Sequence, residues 1–166
     1  MEIVMDSIVK LGPVSHIGIA VEDVDKAAAF YERVFGIGPF HIEDYEMGEV
    51  ADYYLVDGQP AKPSFRAALA FYDNLFIEIV EVTKGETTHT RFLKRHGEGL
   101  QHLCFLVEDT QAVLEKLKAE GIEPVIDYQF VGIKDGKKTR IHEVYLNTDE
   151  MPGGAMIQLL EYIPVE

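Results

Sequence analysis

The chain has 166 residues, 47% hydrophobic and 27% charged, which excludes disordered, collagenous and low-complexity classes. Fifteen basic against twenty-nine acidic residues give a formal charge of −14, so no nucleic-acid partner is expected. No run approaches the roughly 20 apolar residues of a membrane span, and no membrane partner is expected. The acidic N-terminal stretch 1–6 has no basic or apolar region of the signal-peptide kind. The single cysteine, Cys104, rules out an intrachain disulfide framework and fits a cytoplasmic location.

Residues 1–13 read as an N-terminal extension. His16-Ile-Gly-Ile-Ala-Val-Glu-Asp23 then predicts a strand that ends at a helix cap. Val24, Ala27, Ala28, Tyr31, Val34 and Phe35 form the apolar face of the following helix, which Gly36-Ile37 closes. Strand-like runs follow at roughly 40–56 and 65–72, and Phe76-Ile-Glu-Ile-Val-Glu81 ends this first half. The segment 84–99 is a linker, with a short polar helix or loop at 86–96.

The second half repeats the first. His102-Leu-Cys-Phe-Leu-Val-Glu-Asp109 matches the opening strand, beginning with His and ending in Val-Glu-Asp. Val113, Leu114 and Leu117 mark a helix that Gly121-Ile122 closes. Strands are expected at 124–131 and 139–147, and Met156-Ile-Gln-Leu-Leu-Glu161 matches the closing strand. The chain is therefore predicted to be α+β, with two tandem βαβββ modules at 14–83 and 100–166.

Strand alternation selects the chemistry. His16 and His102 share the face opposite the helix-covered one. Glu78 and Gln158 occupy matching places in the closing strands, and each interrupts an apolar run where an unpaired polar group is costly. Two imidazoles, a carboxylate and an amide oxygen suit one divalent metal ion: Zn, Ni, Co, Mn or Fe. Cys104 shares the inner face with His102. His41, His89, His96 and His142 have no repeat partner and are assigned to the surface or the surroundings of the site. Among these, His142 is expected to come nearest the cleft. One of Tyr53 and Tyr54 should point inward. The basic clusters Lys84, Arg91, Lys94, Arg95 and Lys134, Lys137, Lys138, Arg140 are expected to form solvated faces.

These features resemble the vicinal oxygen chelate superfamily, which includes glyoxalase I, methylmalonyl-CoA epimerase, extradiol dioxygenases and bleomycin-resistance proteins. The carriers are the first strand with Ala29-Phe-Tyr-Glu-Arg-Val-Phe-Gly-Ile-Gly-Pro39, the run 76–81, His96-Gly-Glu-Gly-Leu-Gln-His-Leu103, Tyr145-Leu-Asn-Thr, and the run 153–161. They look most like the epimerase and glyoxalase-like branch. The resemblance implies a U-shaped mixed sheet around a metal cleft, with His16, Glu78, His102 and Gln158 as ligands. It departs from the family pattern in two places. Gln158 stands where Glu is usual, and the stretch 60–65 lacks the catalytic Glu that the epimerases carry before the third strand.

The implied activity is a metal-dependent isomerase or epimerase that moves a proton beside a carbonyl, on a small carbonyl substrate such as an acyl-CoA thioester, through a metal-stabilised enolate. Glu78 is the candidate base if it leaves the metal, with Glu43, Glu46 and Glu49 as others. Arg66 is the candidate partner of a substrate carboxylate. A glyoxalase I-like lyase acting on a 2-oxoaldehyde thiol adduct would use the same ligands. A non-catalytic binding protein of the bleomycin-resistance type is the alternative from another class. Sheet edges in paired modules make a homodimer the expected assembly.

Overall fold

The computed structural model describes residues 6–166. Residues 1–5, most of the N-terminal stretch read for a signal peptide, lie outside it. Among the described residues, ten strands form one mixed sheet in the spatial order 41–46, 64–71, 76–84, 14–20, 99–106, 156–164, 137–146, 124–134, 51–56 and 59–60, with helices against it.

In the first half, β1 (Val14–Ala20) leads into α1 (Val24–Phe35), then β2 (His41–Glu46). A single helical turn, α2 (Met47–Val50), separates β2 from β3 (Ala51–Val56) and the short β4 (Gln59–Pro60). Strands β5 (Ser64–Phe71) and β6 (Phe76–Lys84) complete this half. Helix α3 (Thr88–His96) connects to the second half. There β7 (Gly99–Leu106), α4 (Thr110–Leu117), β8 (Pro124–Lys134), β9 (Lys137–Leu146) and β10 (Met156–Pro164) follow in order.

The repeat is visible in the helix starts. Asp23 and Asp109 cap α1 and α4 by accepting from the backbone N–H of Lys26 and Ala112, both at 2.9 Å. Glu81 and Glu161 reach over from β6 and β10 to accept from Val24 and Thr110, again at 2.9 Å. This explains why both glutamates have the parity opposite to Glu78 and Gln158. They serve the helix face, where a carboxylate also meets the positive end of the helix dipole.

The run 40–56 is not one strand. His41, Glu43 and Tyr45 pair with Leu69, Ala67 and Phe65 of β5, whereas Tyr54 and Val56 pair with Tyr128 and Ile126 of β8. Inward positions are odd-numbered before Met47 and even-numbered at Tyr54, a change of parity that one regular strand cannot make. The two ends of the sheet are therefore joined through the four residues of α2. The sheet curls around a core of Met47, Tyr54, Ile126, Tyr128, Tyr145 and Met156. On the outer face, Val21, Val24, Ala28, Ala68 and Ile79 bury α1, and Leu117, Val144, Leu146 and Leu159 bury α4.

Candidate metal centre

Strands β1 and β7 run antiparallel at the middle of the sheet, and each carries one histidine. Gly18 lies between its neighbours Glu78 and His102, and Cys104 lies between His16 and Gln158. The pseudo-twofold thus places four polar side chains on the inner face. Among the described residues, His16, Glu78 and His102 bring donor atoms within 4.8 Å of one another. The Glu78 Oε2 is 3.6 Å from His16 Nε2 and 3.3 Å from His102 Nε2.

The ladder between β1 and β7 slips twice. Val14 pairs with Phe105 and His16 with Cys104, which leaves Ser15 as an extra residue. Gly18 pairs with His102 and Ile19 with Leu100, which leaves Gln101 extra. A bulge turns a side chain away from strict alternation. Here each bulged residue immediately precedes a histidine and supplies a partner for its Nδ1. Gln101 Oε1 lies 2.6 Å from His102 Nδ1, and Ser15 Oγ lies 3.4 Å from His16 Nδ1. An amide oxygen only accepts, so the His102 proton is on Nδ1 and the lone pair on Nε2 faces the cluster. Gln101 is itself held through Nε2, which donates to Thr88 Oγ1 at 3.3 Å. Such partners orient metal-binding histidines and strengthen their donor atoms.

The donor set fits a divalent ion. Among the described residues, the buried side-chain atoms without a hydrogen-bond partner include His16 Nε2, His102 Nε2 and Gln158 Oε1. Three orphaned atoms beside a carboxylate oxygen would be an expensive arrangement without something to bind. Burial holds the imidazoles neutral: it pushes His16 down to about 4, partly offset by Glu78, and His102 down to about 3. Neutral imidazoles are what a metal requires. The rings are packed on several sides. His16 stacks on Phe76 at 4.5 Å between centroids, and His102 meets Tyr145 edge-on at 5.0 Å.

Two residues near the cluster, Glu143 and Tyr145, escaped the sequence reading, and a third, His89, takes the second of the two places expected for it. Glu143 of β9 points inward, where its Oε2 accepts from Tyr128 Oη at 2.7 Å and from Gln158 Nε2. Burial, and then the charge of Glu78, push its carboxyl up to about 7. His89 of α3 is buried, not at the surface. It meets His102 edge-on at 5.6 Å and Tyr145 at 5.3 Å, and burial pushes it down to about 3. Tyr145 itself completes this aromatic wall.

Several expected residues lie elsewhere. Arg66 belongs to the outer face: it pairs with Asp25 of α1 and, at 2.9 Å, with Asp44 of β2. Its register partner is Glu81, which has helix-face parity, so Arg66 does not join the cluster. His142 also faces outward, 2.9 Å from Asp127 and within 3.8 Å of Glu161. Its neighbour Glu143 takes the inward place. Tyr54 is the inward ring, stacked on Tyr128 at 4.7 Å, while Tyr53 donates outward to Asp127. Glu46 accepts from Ser64, and Glu49 is exposed on α2. Glu43 shares the inner face with Tyr45, whose hydroxyl donates to it at 2.6 Å.

With the fold and the donor cluster in place, sequence comparison identifies the family. A profile of the Glyoxalase/Bleomycin resistance protein/Dioxygenase superfamily matches residues 15–141, and the chain belongs to that superfamily. The mitochondrial methylmalonyl-CoA epimerase of Mus musculus is 25% identical over 153 residues, covering 90% of this chain and 73% of the mouse protein. YqjC of Bacillus subtilis is 27% identical over 123 residues, covering 74% of this chain and 76% of that one. Methylmalonyl-CoA epimerase from Mycobacterium tuberculosis superposes with a TM-score of 0.61 at 23% identity, covering 98% of this chain and 95% of that one. The Streptomyces coelicolor epimerase (E43Q), solved with 2-nitronate-propionyl-CoA, gives 0.57 at 21% identity, covering 92% and 98%. No helix among the described residues is long and apolar enough to cross a membrane.

Proposed function

We propose that the chain is a metal-dependent isomerase of the epimerase type, which moves a proton beside the carbonyl of an acyl-CoA thioester. The carrying observation is the set of orphaned donors, His16 Nε2, His102 Nε2 and Gln158 Oε1, beside Glu78 Oε2. These four residues would hold the ion. A divalent ion bound there supplies a Lewis acid that polarises a carbonyl and acidifies the adjacent C–H. The protein's part is to hold two neutral imidazoles in fixed tautomers and to keep bulk water from the sheet interior. Glu78, half-buried, is the carboxylate that would take the proton if it leaves the metal.

The epimerase relatives favour the thioester over a 2-oxoaldehyde thiol adduct, although a lyase would use the same donors. The buried thiol of Cys104 fits a reducing, cytoplasmic setting. The exposed edge strand β2 supports a homodimer.

The test is a solvent-deuterium exchange screen on metal-loaded protein, over acyl-CoA esters, 2-oxoaldehyde thiol adducts and 2-oxo acids. Exchange into an acyl-CoA ester, lost on chelation and in Glu78→Gln, is expected. No exchange into any of the three classes would refute the reading.

A further inference from the structure

Gln158 is fully buried, and its amide has two unlike ends. Only the oxygen can bind a metal; an NH2 group turned inward would present hydrogens to the lone pairs of His16 and His102. Packing cannot distinguish the two orientations, because the ends have nearly the same size. Something chemical must choose between them. The selecting group stands on the neighbouring strand: Gln158 Nε2 donates to Glu143 Oε2, and Gln158 Oε1 is left without a partner.

We propose that Glu143 is a positioning residue, which turns the Gln158 amide so that its oxygen faces the donor cluster. The proposal rests on the metal reading above. In the opposite orientation Gln158 Oε1 would meet an oxygen that already accepts from Tyr128, and two acceptors would face each other. Tyr128 in turn is held by its stack on Tyr54. The chain of contacts thus runs from strand β3 through Tyr54, Tyr128 and Glu143 to Gln158. As the acceptor of both bonds, Glu143 Oε2 selects the amide end that faces it. The site therefore separates two tasks: a neutral amide oxygen donates its lone pair, and a carboxyl one strand away orients it.

The test measures affinity of chelator-stripped protein for Zn²⁺ by competition with a chromophoric chelator. Glu143→Gln keeps an accepting oxygen and should bind within about threefold of wild type, well short of the loss seen when a partner of a metal ligand is removed. Glu143→Leu leaves the amide free to turn and should lose about 10–100-fold, the range for partners of metal ligands. The double variant Glu143→Leu with Gln158→Glu should recover the loss, because a carboxylate has no wrong end. A metal-free readout accompanies this. The Gln158 side-chain NH2 resonance should exchange slowly with solvent in wild type and fast in Glu143→Leu.

An affinity of the Glu143→Leu variant equal to wild type, failure of the double variant to recover, or an unchanged NH2 exchange rate would each overturn the role of Glu143. If wild type bound no Zn²⁺, the metal reading would fall instead, and the NH2 exchange would still decide whether Glu143 holds the amide.

Discussion

Replacing Gly18 with alanine should disable the site from its floor. A Cβ at Gly18 would fall on the imidazole of His102, against its Cε1, Nε2 and Nδ1. Those are overlaps, so the ring must leave. It has little room, since Tyr145, His89 and His16 stand around it at centroid distances of 5.0, 5.6 and 5.4 Å. The backbones of Gly18 and His102 are register partners, so the strands would otherwise have to separate. Overpacking costs about 1–3 kcal/mol. Displacing the ring also breaks its bond to the buried Gln101, at about 1–3 kcal/mol for the group left unsatisfied. The total is about 2–6 kcal/mol, which for a chain of this size lowers Tm by about 4–24 °C. Thermal melts of metal-free protein, followed by Zn²⁺ titration, should show a lower Tm and no tight binding. Cys104→Ala, at the matching position, is the control. A Gly18→Ala protein that melts within about 2 °C of wild type and binds Zn²⁺ equally would refute the placement of His102 over Gly18.

Gln101→Leu removes the acceptor from His102 Nδ1 and should weaken Zn²⁺ binding about 10–100-fold, measured by chelator competition. Arg66→Leu breaks only the outer-face pairs with Asp25 and Asp44, so metal affinity and proton exchange should be unchanged. A selective rise in KM there would return Arg66 to the substrate site. Acid should destabilise the metal-free protein. His16, His89 and His102 are held at about 4, 3 and 3 against 6.5 in the unfolded chain. The unfolded state therefore takes up protons first, and stability present above 6.5 is lost as pH falls toward 4. Glu143, raised from 4.5 to about 7, acts in the opposite sense, losing stability as pH rises through that window. Three groups outweigh one, so Tm should drop between about pH 7 and about pH 4.5, and Glu143→Gln should steepen the drop. A flat or rising Tm over that range would contradict the buried, neutral imidazoles.

The repeat and the strand period brought together much of the candidate site. His16, Glu78, His102 and Gln158 were legible because each half has the same strand parity, and mid-strand polar residues stand out in apolar runs. Glu143 interrupts the run 141–146 in the same way, but it has no counterpart: it pairs with Leu160 where Ala67 pairs with Val80. A reading built on symmetry passes over an asymmetric residue. His89 was left open between the surface and the surroundings of the site for a related reason, since it comes from the linker helix and has no repeat partner. The bulges at Ser15 and Gln101 leave no mark in alternation, because a bulge is settled by pairing across strands. Arg66 and His142 were misplaced because their facing depends on the partners Glu81 and Gln129, which one strand's pattern does not reveal. The division of 40–56 was readable in principle, from the shift in parity between Tyr45 and Tyr54.

The proposed chemistry depends on one divalent ion held by His16, Glu78, His102 and Gln158. Calorimetric titration of chelator-stripped protein with Zn²⁺, run beside His102→Ala, tests it most directly. Wild type is expected to take up one ion per chain at micromolar affinity or tighter, with no tight binding in the folded variant. Wild-type protein that takes up no ion, or a His102→Ala protein that fills equally, would contradict it.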